Sequence, residues 1–367
     1  MLDSTMREDI QRLVRDYNQN EITISALGSH SALDIMDGAK DEDFRTLVIA
    51  QVGRERPYKS FDRIVDDMIL LDRFDGMIEE KVQESMRKRN VIFIPHRSFT
   101  AYIDYDAIEN EFLIPIFGSR NMLRTEERDV PRNQYYLLER AGIRFPKRIK
   151  SPEEIDRPVI VKVMETKRNI ERAFFTAASY REFRAKAERR IEQGIISEKN
   201  LEDAVIEEFV LGTYFNFNFF YSPIKEEVEF LGIDRRLQTD LNDYVSLPAS
   251  QQLEMEIELQ NIEIGHMPAT IRESMLEKVF EIGERFVETS KTEYPPGIIG
   301  PFALQSAVTK DLEIVVFDVS PRVPGSPVLM MSPYTHYYHG ESFGTGRRIA
   351  MEIRSAIMEE RLEDVVT

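Results

Sequence analysis

The chain contains neither cysteine nor tryptophan, and no apolar run in it approaches the length that spans a bilayer. Without cysteine there is no disulfide framework, no thiolate nucleophile and no thiolate metal site. Without a membrane-length run we expect no membrane contact and a cytoplasmic protein. Basic residues are also in deficit, because 48 lysines and arginines face 65 aspartates and glutamates, for a net charge of −17. That imbalance argues against a broad nucleic-acid surface.

Strands alternate with helices in the N-terminal third of the chain, which predicts a doubly wound parallel sheet. Three predicted strands run into Gly28-Ser29-His30-Ser31, Gly53-Arg54-Glu55-Arg56 and His96-Arg97-Ser98. Ligands of such sheets bind outside the carboxyl ends of the strands. The hydroxyl, imidazole and guanidinium groups at these ends suit a phosphorylated metabolite, and the alternative is a set of solvated surface side chains.

A β-hairpin is predicted near the C-terminus. Residues 302–307 and 312–319 are rich in β-forming residues and are joined by a polar turn. Strict alternation places Val316 and Asp318 on the same face of the second strand. The hairpin therefore predicts an apolar face that becomes charged at its end.

Charged groups at the end of an apolar face are costly to bury unless a charged ligand lies there. Asp318, with Gln305 from the neighbouring strand, would hold Mg²⁺, and Arg322 would face phosphate oxygens. A salt-bridged sheet edge without a ligand is the alternative interpretation.

A series of short motifs covers nearly the whole chain in the order and spacing of one known family. The motifs are Gly28-Ser29-His30-Ser31, Ile94-Pro95-His96-Arg97-Ser98, Ile114-Pro115-Ile116-Phe117-Gly118, Ile206-Glu207-Glu208-Phe209-Val210, Phe220-Tyr221-Ser222-Pro223, Ile271-Arg272-Glu273-Ser274, and Pro295-Pro296-Gly297 followed by Gly300-Pro301-Phe302. In these motifs the chain resembles the archaeal PurP family, the 5-formaminoimidazole-4-carboxamide ribonucleotide synthetases, which are ATP-grasp ligases of purine (IMP) biosynthesis.

The resemblance implies a mixed α/β and α+β architecture. A Rossmann-like pre-ATP-grasp domain over residues 1–125 would precede a two-part ATP-grasp module, with a small lid over 126–212 and a C-terminal part with the metal-binding hairpin over 213–367. It also implies a homo-oligomer. The implied reaction formylates aminoimidazole carboxamide ribonucleotide with formate and ATP, through a formyl phosphate.

The resemblance also carries site residues over to this chain. Substrate contacts would fall on His30, Ser31, Ser98 and His266; ATP contacts on Lys162, Glu207, Glu208, Phe209 and Val210; the metal, Mg²⁺ or Mn²⁺, on Gln305 and Asp318; and the catalytic roles on Arg322 and Lys162.

This chain departs from the family pattern at phosphate and metal positions. Residues 164–172 contain no glycine where the family has a glycine-rich loop over the ATP phosphates, and Asp318 replaces a glutamate. A Cβ keeps backbone from approaching a phosphate closely. Two functions therefore stay open at this point: a ligase acting on formate or another small carboxylate, or a nucleotide-binding regulatory or assembly subunit with weak or no ligase activity.

Overall fold

The computed structural model describes residues 4–128, 130–163, 174–239, 244, 246–254 and 262–367. These residues form three β-sheets, one parallel and two antiparallel. Residues 164–172, the glycine-free loop of the sequence analysis, lie outside the described part of the chain.

The parallel sheet lies in the N-terminal third. Its strands are β1 (Thr23–Leu27), β2 (Arg45–Gln51), β3 (Asp67–Leu71) and β4 (Val91–Phe93), and their order is β3-β2-β1-β4. The helices of this part are Ser4–Asp16, Ala32–Asp41, Arg56–Ser60, Glu80–Arg87, Arg97–Tyr102 and Tyr105–Asn110. Every residue of β1 is buried, because apolar clusters cover both faces of the sheet. The predicted doubly wound sheet is confirmed.

The apolar stretch 112–117 has the composition of a strand, but it forms only isolated bridges. Ile116 pairs with Phe93 of β4, and Phe117 pairs with Val366 near the end of the chain. Pro115 has no N–H to give to a ladder, although its carbonyl accepts a hydrogen bond from Phe93.

The small antiparallel sheet follows the helix Gln134–Arg140. Its strands are β5 (Arg148–Ile149), β6 (Val159–Lys162), β7 (Phe174–Ala177) and β8 (Val205–Glu208), in the order β5-β8-β6-β7. The helices Tyr180–Glu192 and Glu198–Glu202 connect β7 to β8. One face of the sheet is covered by the first of these helices, where the rings of Phe175 and Phe183 are 5.7 Å apart.

The large antiparallel sheet carries the C-terminal half. Its strands are β9 (Thr213–Ser222), β10 (Glu227–Gln238), β11 (Glu263–Ala269), β12 (Gly300–Val308) and β13 (Ile314–Ser320), in the order β11-β10-β9-β12-β13. The helices are Ala249–Glu254, Leu276–Glu293, Tyr334–His339 and Thr345–Met358. Helix Leu276–Glu293 lies close on the sheet at Gly283, where a Cβ would stand 2.6 Å from the ring of Phe219.

Strand β11 was not predicted. Its alternation is weak, because it contains Gly265 and Pro268 and much of it is exposed. It lies at the edge of the sheet, where a residue without an N–H is tolerated. The helix Ala249–Glu254 also has no apolar periodicity that would predict it.

The last helix of the chain returns to the N-terminal domain. Thr345–Met358 crosses Ala32–Asp41 at two glycines, and a Cβ on Gly38 would lie 1.9 Å from the backbone nitrogen of Arg347. Asp34 accepts a 2.9 Å hydrogen bond from the Gly346 N–H at the start of that helix. The division of the chain at residues 125 and 212 stays a prediction. Among the described residues, no helix has the length and apolar character needed to cross a membrane.

Candidate functional site

The ends of β1 and β4 meet, as the sequence predicted. Ser98 Oγ donates to Ser29 Oγ over 3.0 Å, and the rings of His30 and His96 stack with centroids 5.7 Å apart and planes 13° from parallel. His30 has a left-handed backbone, with φ of 51°. The third strand end does not join them, because Arg54 and Arg56 are exposed, and no hydrogen bond or ion pair in the described part of the chain links them to His30 or Ser98.

Both stacked histidines are neutral. His96 Nε2 lies 2.9 Å from the Leu27 carbonyl, an acceptor, while Nδ1 accepts the Ser98 N–H over 3.2 Å. Burial lowers the pKa of His96 to about 4. Burial, and then the positive charge of Arg322, lower the pKa of His30 to about 3. The proton positions follow from these bonds, since the Ser31 hydroxyl donates to the Pro324 carbonyl (2.8 Å) and must accept from His30 Nδ1 (3.1 Å).

The chain after the hairpin covers these strand ends. The Pro324 carbonyl holds Ser31, and Gly325 lies on the imidazole of His30, where an added Cβ would be 2.5 Å from Cε1. Only glycine allows this approach without displacing the ring. The N-terminal site therefore includes a wall from the C-terminal part of the chain.

Arg322 precedes Pro324 and Gly325 in the segment that covers the site, and its side chain is charged and buried. Its Nη2 and Nε donate to Glu126 over 2.7 and 3.2 Å, and its Nη1 donates to the Val323 carbonyl. Arg97 lies 3.9 Å from the same carboxylate and 3.5 Å from Glu127. A bidentate pair of this kind holds the guanidinium in one orientation, and each of Nη1 and Nη2 keeps a second N–H for another acceptor.

The hairpin brings Gln305 and Asp318 together, but not by the alternation that we expected. The two residues are Cα partners, and the register then shifts so that Ser306 faces Val316. This bulge leaves Phe317 as an extra residue. Val316 and Val319 therefore point into the main core, and Asp318 lies on the opposite face, so the prediction that Val316 and Asp318 share a face was wrong.

The oxygens around Asp318 fit a divalent cation that also binds phosphate. Gln305 Nε2 donates to Asp318 Oδ2 over 2.8 Å and lies 3.5 Å from Ser320 Oγ. One carboxylate, one amide oxygen after rotation of the amide, and one hydroxyl are a hard oxygen set of the type Mg²⁺ uses together with phosphates. In the described residues, no group of three or more His, Cys, Asp or Glu side chains could hold a metal. A metal here would complete its coordination with water or with substrate oxygens.

Lys162 is the last residue of β6, and it lies close enough to Asp318 of the large sheet for the two charges to interact. Its Nζ lies 2.5 Å from Glu207 Oε2 and 3.4 Å from the hydroxyl of Tyr135, which in turn donates to Glu207 Oε1. Burial and then the nearby Arg128 lower the pKa of Lys162. The lysine side chain is thus only 11% exposed and is held in place by a single carboxylate.

The segment after β8 borders an open cleft. Glu208, Phe209 and Val210 line it with Leu211 and with residues 309–311 and 313 of the hairpin turn, around a space of about 300 Å³. The Phe209 N–H is used by the Pro158 carbonyl (2.9 Å), and the Val210 side chain packs on Ala307 and Val315. Three of the four residues predicted to follow Lys162 in contacting ATP, Glu208, Phe209 and Val210, therefore line this cleft, whereas Glu207 is buried against Lys162.

His266 lies on β11 within a polar cluster that the sequence did not predict. Its Nδ1 is 2.6 Å from Asp234 and its Nε2 is 2.8 Å from Glu263. Asp234 is fully buried and also accepts hydrogen bonds from Asn216 and Asn218, each over 2.7 Å. The alternation of asparagine with phenylalanine on β9 was the available signal, because it places both amides on one face.

Comparisons with known proteins decide the family. Two family models match, "Protein of unknown function (DUF1246)" over residues 24–149 and "Domain of unknown function (DUF1297)" over residues 182–367. The 5-formaminoimidazole-4-carboxamide-1-(beta)-D-ribofuranosyl 5'-monophosphate synthetase of Methanopyrus kandleri is 44% identical over 362 residues, which are 98% of this chain and 99% of that protein. The protein of the same name from Methanocaldococcus jannaschii is 43% identical over 364 residues, with 98% and 99% covered.

This chain belongs to that synthetase family. Among solved structures, the IMP biosynthesis protein PurP from Thermococcus kodakaraensis is 29% identical, with a TM-score of 0.71 over 94% of this chain and 100% of that one. The ADP complex of purK, an N5-carboxyaminoimidazole ribonucleotide synthetase, has a TM-score of 0.59 at 13% identity, over 88% and 78% of the two chains, which shows the fold alone. As a PurP family member the chain is an ATP-dependent ligase with the ATP-grasp fold, and the predicted family is confirmed.

Proposed function

We propose that the chain formylates aminoimidazole carboxamide ribonucleotide with formate and ATP. Formate oxygen attacks the γ-phosphorus, ADP leaves, and formyl phosphate forms. The exocyclic amine of the ribonucleotide then attacks the formyl carbon, the carbonyl–oxygen bond to phosphate breaks, and one proton leaves the amine. The sum is ATP, formate and amine giving ADP, phosphate and the formamide. Full-length similarity to synthetases named for this product carries the proposal.

The N-terminal strand ends would bind the ribonucleotide 5′-phosphate. Ser29, His30, Ser31 and Ser98 converge there with two hydroxyls in mutual contact and one imidazole next to them. His266 would lie beside the base. Because each of these four side chains already makes a hydrogen bond, little side-chain entropy would be lost when the nucleotide binds.

ATP would lie in the cleft between the two antiparallel sheets. The wall formed by Glu207, Glu208, Phe209 and Val210 would contact adenine and ribose, and Lys162 would contact the phosphates. Gln305 and Asp318 would hold Mg²⁺ or Mn²⁺, which when bound offsets the negative charge of the phosphates. Arg322 would stabilise charge on the transferring phosphoryl group through the N–H groups that Glu126 leaves free.

The carboxylate and the assembly state are part of the proposal. We place formate, the smallest carboxylate, first among small carboxylates, and we propose a homo-oligomer in the cytoplasm. Parallel assays with formate and acetate, and sedimentation of the protein at several concentrations, test these two points.

The test is product formation from ¹³C-formate. Protein, ATP, magnesium and the ribonucleotide should give a ¹³C-formamide signal together with one ADP per product, and omission of any one substrate should abolish it. Lys162→Ala should remove the activity, whereas Lys186→Ala, on the exposed helix Tyr180–Glu192, should keep it.

The competing function, a nucleotide-binding subunit without turnover, predicts ATP and ribonucleotide binding without product. Family membership favours the ligase. A wild-type protein that binds both nucleotides and forms no formamide would establish the competing function.

A further inference from the structure

Arg128 contacts Asp318 and lies near Lys162, and no sequence motif pointed to it. Its Nη2 donates to Asp318 Oδ1 over 3.0 Å, and its guanidinium carbon lies 6.0 Å from the centre of the Tyr135 ring. Its own carbonyl accepts a 2.8 Å hydrogen bond from Asn133, which fixes the backbone. The side chain is therefore anchored at its base and ends against Asp318 on β13.

One donor of this guanidinium has no acceptor. The Nε atom is buried, and no residue in the described part of the chain makes a hydrogen bond with it. A buried N–H on a cation is expensive to leave unpaired, because it loses its hydration and gains nothing in return. The Nε donor could therefore be paired by an acceptor that binds beside Asp318 and Tyr135.

The chemistry of the donors favours an anion as the acceptor, because both nearby side chains, Arg128 and Lys162, are cationic. Arg128 and Lys162 are close enough for the arginine to lower the pKa of the lysine. Two cations that face one space repel each other unless negative charge lies between them. Glu207 pairs with Lys162 and Asp318 pairs with Arg128, and the unpaired Nε remains in addition to both pairs.

We propose that Arg128 binds the polyphosphate chain of ATP, beside Lys162, and that Asp318 holds it in place before the nucleotide arrives. The proposal rests on the proposed ATP site and adds a binding residue to it. A planar fork with several N–H groups can donate to two phosphate oxygens at once, which an ammonium cannot do. Arg128 thus supplies phosphate contacts from a wall of the cleft, whereas the family supplies them from glycines that residues 164–172 lack.

A metal held by Asp318 would replace Arg128 as the counter-ion of this carboxylate and would supply positive charge for the phosphates. The Nη2 and Nε groups of Arg128 would then both be available to phosphate oxygens. Metal and arginine would together match the charge of a polyphosphate better than either alone.

The experiment compares ATP with adenosine, which lacks the phosphates. Titration calorimetry in magnesium would be run on wild type, Arg128→Gln, Arg128→Lys and the matched control Arg140→Ala, an arginine on the exposed face of the helix Gln134–Arg140. Arg128→Gln should weaken ATP binding about 10- to 100-fold, the usual cost of a lost charged hydrogen bond, and leave adenosine binding unchanged. Arg128→Lys should fall between, because charge is kept and the fork is lost.

The outcomes separate this inference from the proposed function. A wild-type protein that does not bind ATP overturns the proposed function. If wild type binds ATP and Arg128→Gln binds it equally well, or if ATP and adenosine weaken by the same factor, Arg128 is only the counter-ion of Asp318 and the inference is wrong. Arg128→Lys gives a second, independent reading if the glutamine variant folds poorly.

Discussion

His266 should titrate far above the usual range of a histidine. Both of its ring nitrogens lie within 2.8 Å of a carboxylate oxygen, one from Asp234 and one from Glu263. Carboxylates only accept, so both nitrogens must donate and the ring is a cation. Burial lowers its pKa, but the hydrogen bonds to the two carboxylates more than offset this and raise the pKa from 6.5 to about 9.

The raised pKa translates into pH-dependent stability. A folded pKa above the unfolded value stabilises the fold fully below pH 6.5, and this contribution is lost as the pH rises through 9. A difference of about 2.5 between the two pKa values corresponds to about 3.4 kcal/mol. Because the Glu263 side chain is 32% exposed, solvent screens part of the network. We therefore expect the free energy of unfolding to fall by about 2 kcal/mol between pH 6 and 10 from this residue.

The assay is a proton NMR titration combined with urea unfolding. The chain has five histidines, so the ring signals can be assigned with single His→Gln variants. The signal that His266→Gln removes should titrate near 9 in the wild type. The difference in unfolding free energy between wild type and His266→Gln should shrink as the pH rises, while the exposed His336→Gln should track the wild type throughout.

A His266 signal that titrates near 6.5 would refute the argument, because the two carboxylates would then not hold a cation. A wild-type minus His266→Gln difference that stays constant from pH 6 to 10 would refute the energetic part alone.

Three further predictions concern other contacts. Gly325→Ala should push His30 aside and weaken ribonucleotide binding, measured by calorimetry, about 10-fold or more. The control Gly76→Ala, whose Cβ would have no neighbour closer than 3.6 Å, should bind the ribonucleotide like the wild type. Equal binding by both variants would contradict the packing argument. His30 is neutral and its Nε2 carries no proton, so ribonucleotide binding should take up about one proton near pH 7. This uptake would make the calorimetric heat depend on the ionisation enthalpy of the buffer. A heat that does not depend on the buffer would contradict the assigned proton positions. Arg120→Met should lower the free energy of unfolding, measured in urea, by about 3 kcal/mol or more. The reason is that the buried guanidinium donates to four backbone carbonyls, which the variant leaves unpaired. A loss no larger than that of Arg140→Met would contradict this prediction.

Much of the architecture could be predicted because it depends on short-range pattern. Apolar periodicity predicted the parallel sheet, the hairpin and most later strands. A strand buried on both faces is a continuous apolar run, and a strand buried on one face alternates apolar and polar residues. Gln305 and Asp318 were paired correctly because one short turn joins their strands, so their distance along the chain limits their register. The family motifs added the reaction, which no periodicity could supply.

The bulge at Phe317 and the strand β11 escaped prediction for local reasons. A single extra residue in a strand moves every later side chain to the opposite face of the sheet, and the amino-acid composition gives no sign of it. Strict alternation therefore placed Asp318 on the wrong face. An edge strand with Gly265 and Pro268 is stabilised by its one neighbour, and its sequence does not resemble a strand.

The sequence by itself determined the elements, the charge balance and the types of side chain at each strand end. Only the tertiary structure decided which charges neighbour each other. Glu126 meets Arg322 across 196 positions, and Arg128 meets Asp318 across 190. Such pairs carry no sequence signal, because the energy of an ion pair depends on distance and burial in space, and a chain of glutamates and arginines offers many equivalent partners until the fold selects one.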